Sequence, residues 1–481
     1  MNSERLFTLF EGINDAEIAN AEKYHGRLIT YRMKKRIALA CAAILLVLAV
    51  GISLSDHLLG NYVSYPLGIR VVRAAYPESR YSDMDINHFG NSRDHSDWWM
   101  EYRDKVVPSI DLQNNLSDYY LSIMENTLVS QNDNTVCSPL NVYIALSMLA
   151  EVTDGNTRQQ ILDALCVDDI DQLRNNSSIL WEANYVDTPL LTSNLANSIW
   201  LNDNIRYHDN SLDVLANTYH ASSFIGNPGS EKMEIAMKQW MSENTRGLLD
   251  ENISNIELDP EMVLTLISTI YYKAGWGSEF IESENTEEVF HGCITDTNVI
   301  MMHKNMICDV YQSDTFSSLG LPLTDSGSMY FFLPDEGIDV NTLVSNPEIL
   351  DVVSRYKNWG DHLYTPLVHL SIPKFCIIGD TNLLETLPAM GISDALNPMA
   401  SDFTPLTSYT ENIYLKKAEH VARVEVDEQG VTGAAYTIMG TGSGGEPIID
   451  GEMYFTLDRP FMFIITGNDG SILFSGIVRN I

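Results

Sequence analysis

The chain has 481 residues, enough for two or three ordinary domains or for one large domain with an extension. Its apolar share of 45% can bury a core, and its formal charge of −36 excludes a phosphate-tracking surface, which needs clustered Lys and Arg. Such acidity suits solubility and a cationic partner.

Residues 1–36 form a short leading segment that ends in RMKKR (Arg32 to Arg36). Residues 37–55, IALACAAILLVLAVGISLS, carry no charge. At about 1.5 Å per residue they nearly cross a hydrocarbon core of about 30 Å, so they read as a transmembrane helix. The basic run before them keeps residues 1–36 in the cytoplasm and sends everything after Asp56 outside. The alternative is a cleaved signal peptide and a secreted product. Against it stand a long leader and its acids, Glu4, Glu11, Asp15, Glu17 and Glu22. Residues 56–108 show no sustained period and read as an extracytoplasmic stalk, with Trp98 and Trp99 near its end packing on the following domain.

From Ser109 the pattern is mixed α+β. Leu112, Leu116, Tyr120 and Ile123 recur at helical spacing, and LNVYIALSMLAEVTDGNTRQQILDAL predicts a helix, a Gly-containing turn and a second helix. SMYFFLPD, LVHLSIPKF and MYFTLDRPFMFIIT predict strands. With no repeat and no clear linker, 109–481 reads as one large domain. The six cysteines show no zinc spacing. Cys293 and Cys308 are either free thiols or a cross-hairpin pair. VDDID (Val167 to Asp171) lacks the glycine of a calcium loop and reads as a solvated turn. HExxH is absent and TGSGG lacks the GxSxG spacing, so no catalytic activity, metal or cofactor is predicted.

Residues 426–452 read VDEQGVTGAAYTIMGTGSGGEPIIDGE. By composition alone this is a flexible linker. On a strand, Val431, Gly433, Ala435 and Thr437 share one face that is small and uncharged, and Tyr436 falls on the other.

Several local signatures follow one another in order: CSPLN (Cys137 to Asn141), LANSIW, TIYYKAGW, VIMM, FFLPD, SIPKF, MGISDAL, SDF, AEHVARVEVDEQGVTGAAYT, LDRPFMFII and ILFSGIV. In that order they closely resemble the serpin family across essentially all of 109–481. The resemblance implies helices packed around three β-sheets and an exposed reactive-centre loop. Once cut by a serine protease, that loop inserts as a new strand and traps the acyl-enzyme. It makes Glu428, Gly430, Val431, Gly433, Ala435 and Thr437 the loop hinge, with glycine easing the backbone torsions of insertion. It makes Ser138, Asn141 and His420 a polar cluster that controls sheet opening, Asn141 replacing a second serine. Lys238 and Ser268 stand where the family usually carries asparagine.

For the scissile bond, the family's forward spacing gives Gly444–Gly445, whereas counting back from LDRPF gives a point near Ile449–Asp450. Ile448–Ile449 is the preferred reading, because a branched aliphatic after Pro447 suits elastase-like or subtilisin-like pockets. The implied partner is a serine protease; the rival reading is a surface protein of this fold that binds without trapping. The leader, basic stop and single span are similar to those of Gram-positive bacterial surface proteins.

Overall fold

The computed structural model describes residues 68–75, 77, 81–90, 92–250, 258–354, 359–409, 413–431 and 450–481. All belong to the compact unit Pro66–Ile481. The segment 1–36 and the candidate span 37–55 lie outside the described residues, as do loop positions Gly433, Ala435, Thr437, Gly444, Gly445, Ile448 and Ile449. Among the described residues no helix is long and apolar enough to cross a membrane.

Two strands near the C-terminus, Phe461–Thr466 and Ile472–Val478, are buried at every position. Their sequences, FMFIIT and ILFSGIV, do not alternate because both faces are covered. They pair with each other inside a sheet of seven strands among the described residues, flanked by Ser328–Pro334 and Thr135–Cys137. The largest sheet has eight described strands. In it Glu419–Val426 buries His420, Ala422, Val424 and Val426 and leaves Val421, Arg423 and Glu425 half-buried, the period of two of a strand with one face on the core. A third sheet of four described strands joins Thr286–His291, Asp296–Ile307, Leu367–Pro373 and Glu452–Thr456, the last pair running parallel. Helices pack around the three sheets, so the α+β class and the three-sheet architecture are those the sequence predicts.

The described part of the segment read as a stalk, from residue 68 on, packs with the body. Arg70–Arg73 pairs antiparallel with Ala221–Gly226 and becomes an edge strand of the large sheet. Arg73 meets Asp213 at 2.6 Å and Asp209 at 3.3 Å. A helix, Arg93–Leu112, is capped by the Ser92 hydroxyl, which accepts from the Asp94 N–H. Trp98 is buried and stacked on Tyr102 at 5.1 Å, while Trp99 is exposed. The Tyr102 hydroxyl donates to the Ala183 carbonyl, and the Ser109 hydroxyl donates to the buried Asp469 carboxylate at 2.6 Å. The sequence hid this because one short strand and a helix of mixed polarity give no long repeating pattern.

Cys293 and Cys308 are not joined in a disulfide. Asp169 in the acidic run caps the helix Ile170–Asn184 by accepting from the Gln172 N–H at 2.8 Å, so that turn does structural work. Among the described residues no cluster of side chains is suited to hold a metal ion.

Candidate functional site

The large sheet is incomplete at its centre. Leu264–Gly275 pairs along its length with Leu191–Asn202, and Glu419–Val426 pairs along its length with Phe375–Asn382. Among the described residues these two inner strands do not pair with each other. Between them at one end sits the short strand Gly430–Val431, with Gly430 opposite Gly275 and Val431 opposite both Ala274 and Val426. Below it the inner strands flank a cleft of about 130 Å³ lined by Leu146, Leu149, Met237, Met241, Leu266 and Leu415.

The turn that launches this strand is fixed by its own residues. The Asp427 carboxylate accepts from the N–H groups of Gln429, at 2.8 Å, and Gly430, at 3.1 Å, which closes the chain on itself. The Trp276 indole donates to the Asp427 carbonyl at 2.8 Å. The Glu428 carboxylate meets the Lys374 ammonium at 2.9 Å and accepts from the Asn285 amide at 2.5 Å. Burial alone would raise the Glu428 pKa, but Lys374 and Asn285 hold it below the ordinary value.

Val431 is buried between the two inner strands. Gly430 serves close approach rather than unusual torsion: it is absent from the positive-φ positions, and a Cβ there would lie 2.2 Å from the Ala274 carbonyl oxygen. Gly430→Ala is therefore expected to push the backbones apart at a cost of about 1–3 kcal/mol. A lowered thermal midpoint of the intact chain checks this; an unchanged midpoint would mean that the turn relaxes freely.

Beneath the cleft lies the N-terminus of the helix Pro139–Glu151. Ser138 caps it, its hydroxyl accepting from the Asn141 N–H at 3.3 Å. The Ser138 N–H donates to His420 Nε2 at 2.8 Å on one inner strand. The Asn141 amide donates to the Ser268 carbonyl at 2.9 Å, and the Ser268 hydroxyl donates back to the Asn141 amide oxygen, on the other. One helix end thus holds both strands. An acceptor facing a backbone N–H must be unprotonated, and burial pushes the His420 pKa down to about 4.

Ser138, Asn141 and His420 are brought together, and Ser268, singled out in the sequence only as a departure, completes the cluster. Lys374, Asn285 and Trp276 were missed as supports of the hinge. Lys374 lies in the SIPKF signature, but nothing local says that its ammonium reaches a carboxylate so distant along the chain.

The central sheet thus has two inner strands that are joined, among the described residues, only through the short strand Gly430–Val431. A family model described as "Serpin (serine protease inhibitor)" matches residues 114–481, and the chain belongs to that family. Serpin-ZX of Arabidopsis thaliana is 28% identical, covering 78% of this chain and 98% of that protein. The leukocyte elastase inhibitor of Xenopus laevis is also 28% identical, covering 75% of this chain and 95% of that protein. Among solved structures, the thermophilic serpin tengpin in its native state superposes with a TM-score of 0.68 at 23% identity, covering 86% of this chain and all 100% of its own. The native stressed form of an Arabidopsis serpin gives a TM-score of 0.62 at 26% identity, covering 78% of this chain and 98% of its own. Protease inhibition, rather than catalysis, is the family's activity.

Proposed function

We propose that the domain inhibits a serine protease by presenting the loop between Val431 and Asp450 as bait and inserting it, once cut, into the large sheet. The protease serine attacks the scissile carbonyl, the C–N bond breaks, and the new N-terminal amine leaves on the far side of the loop. The upstream part stays esterified to the enzyme. Insertion then carries the enzyme across the sheet before water cleaves the ester, so the outcome depends on which step is faster.

The observation that supports this reading is the register of the short strand. Continuing Gly430↔Gly275 and Val431↔Ala274 residue by residue brings Gly433 opposite Tyr272, Ala435 opposite Ile270 and Thr437 opposite Ser268. Continuing Val426↔Val431 on the other side brings Thr437 opposite His420. The small face identified in the sequence is then the buried face, and its last hydroxyl meets the polar cluster.

The downstream root of the loop is pinned. Asp450 donates its N–H to the Thr365 carbonyl at 3.1 Å, its carboxylate accepts from the Thr365 N–H at 2.9 Å, and Tyr364 donates to its carbonyl at 3.2 Å. A protease grips an extended stretch on both sides of the bond that it cuts. Cleavage at Ile448–Ile449 would leave it only Ile449 before the pinned residue. Cleavage at Gly444–Gly445 leaves the five residues Gly445 to Ile449 before the pinned Asp450, and this is the bond we assign. Gly444 before the bond suits the small or shallow pocket of an elastase-like or subtilisin-like enzyme, and the absence of Lys and Arg between Glu428 and Asp458 disfavours trypsin.

Incubation with elastase, subtilisin, trypsin and chymotrypsin, followed by boiling in detergent, tests the function. A surviving complex with elastase or subtilisin, cut beside Gly444, is the expected result. A loop cut without any complex favours the binding protein without a trap, and a stable trypsin complex overturns the specificity.

The same reading tethers the domain outside the cell through residues 37–55. Protease shaving of intact cells should release a fragment of about the domain's size. Recovery of a product that starts at Asp56 from untreated medium would mean a cleaved signal peptide instead.

A further inference from the structure

At the end of the cleft opposite the hinge, the Lys416 ammonium meets the Asp259 carboxylate at 3.0 Å and the Glu261 carboxylate at 3.3 Å, and it lies 5.8 Å from the centre of the Tyr414 ring. Lys416 leads into the strand Glu419–Val426, and Asp259 and Glu261 lead into Leu264–Gly275, so the contact crosses directly from one inner strand's approach to the other's. Each side is fixed to its own half of the molecule. The Leu258 N–H donates to Glu234 on the helix Glu231–Asn244, and the Asn202 amide donates to the Met262 carbonyl. On the other side the Leu383 N–H donates to the Ala418 carbonyl, and the Leu415 N–H donates to the Ala395 carbonyl. The Asp259 carboxylate is itself braced by the Glu261 N–H at 2.8 Å, which with Lys416 lowers its pKa.

We propose that Lys416, Asp259 and Glu261 form an ionic clasp that sets the rate of the final stage of strand insertion. This rests on the insertion reading above. Extending the two registers to the far end of the cleft brings Thr441 opposite Leu264 on one side and beside Lys416 on the other. A fully inserted strand therefore occupies the space that the clasp now closes, and the Lys416 contacts must part to admit it. The hinge strand closes one end of the cleft through main-chain pairing and the clasp closes the other through charge. Lys416 is thus a positioning residue: it touches neither protease nor scissile bond, and it acts through the separation of the two strands.

Exposed ion pairs are weak and are screened by salt, so the effect is modest and has a signature that simple packing lacks. The test uses the full chain, its loop cut with elastase or subtilisin, and follows the rate at which the cut protein acquires heat resistance at low and at high NaCl. Lys416→Met and the double variant Asp259→Asn/Glu261→Gln should each speed that step about two- to fivefold at low salt. Salt should accelerate the parent towards the variants' rate and leave the variants nearly unchanged, and Lys416→Arg should restore the parent's rate and salt response. Equal rates and equal salt responses in parent and variants would overturn the clasp while leaving insertion intact. If the cut parent gains no heat resistance at all, the insertion reading fails and the clasp fails with it. Should the variants fold poorly, a salt-independent rate in the parent alone is enough to reject the proposal.

Discussion

Val431→Arg is expected to turn the inhibitor into a substrate. Val431 already occupies the first inserted position, buried between Ala274 and Val426. A guanidinium there would lie opposite Ala274 and Val426, neither of which can pair with it, and burying an unpaired charge costs several kcal/mol. The arginine variant should therefore withdraw the strand Gly430–Val431 from the sheet in the intact protein. Attack at Gly444–Gly445, far along the loop, should proceed nearly unchanged. Even a rise of about 1.4 kcal/mol in the insertion barrier slows that step about tenfold, and hydrolysis of the acyl-enzyme then overtakes it. The protease should be released active, the loop cut at the same bond, and the cut domain should lack the gain in heat resistance seen in the parent. A detergent-stable complex of unchanged stoichiometry would show that this strand does not lead an insertion.

The second large effect concerns pH. His420 accepts the Ser138 N–H in its neutral form, and burial pushes its pKa down to about 4 from the ordinary 6.5. The folded chain thus binds fewer protons than the unfolded chain between these values. The stability that neutral His420 supplies is fully present above pH 6.5, declines as pH falls, and is gone near pH 4. At about 1.4 kcal/mol per pH unit, the loss amounts to about 3 kcal/mol. Carboxylates titrate in the same acidic range, so the diagnostic quantity is the difference between the parent and His420→Gln, whose side-chain oxygen can accept the same N–H without titrating. Thermal or denaturant unfolding should show a steeper acid loss in the parent across this window. Parallel curves would mean that His420 is not held neutral by the cluster.

Both expectations depend on features of unequal visibility in the sequence. The alternation of small residues from Val431 to Thr437 is a local pattern of period two, and it needs only strand geometry to be read. The ordered signatures from CSPLN to ILFSGIV likewise carry the family, and with it three sheets and the cluster members Ser138, Asn141 and His420. The reason for Gly430 was not legible: the sequence suggests torsional freedom, but the residue faces the Ala274 carbonyl oxygen across a strand pair, where any Cβ collides.

By itself the sequence determined the α+β class, the alternation of small residues from Val431 to Thr437, and the absence of Lys and Arg between Glu428 and Asp458. These are properties of neighbouring residues, and covalent geometry links them to side-chain direction. Only the tertiary structure decided that residues 70–112 join the body, that Lys374 and Asn285 hold Glu428, that Ser268 completes the cluster, and that Lys416 reaches Asp259 across a separation of 157 positions. Such contacts join segments distant in the chain, and the periodicity of neither segment encodes the other. They exist because the sheets and helices first bury their apolar faces, and that burial sets which polar side chains end within reach of one another.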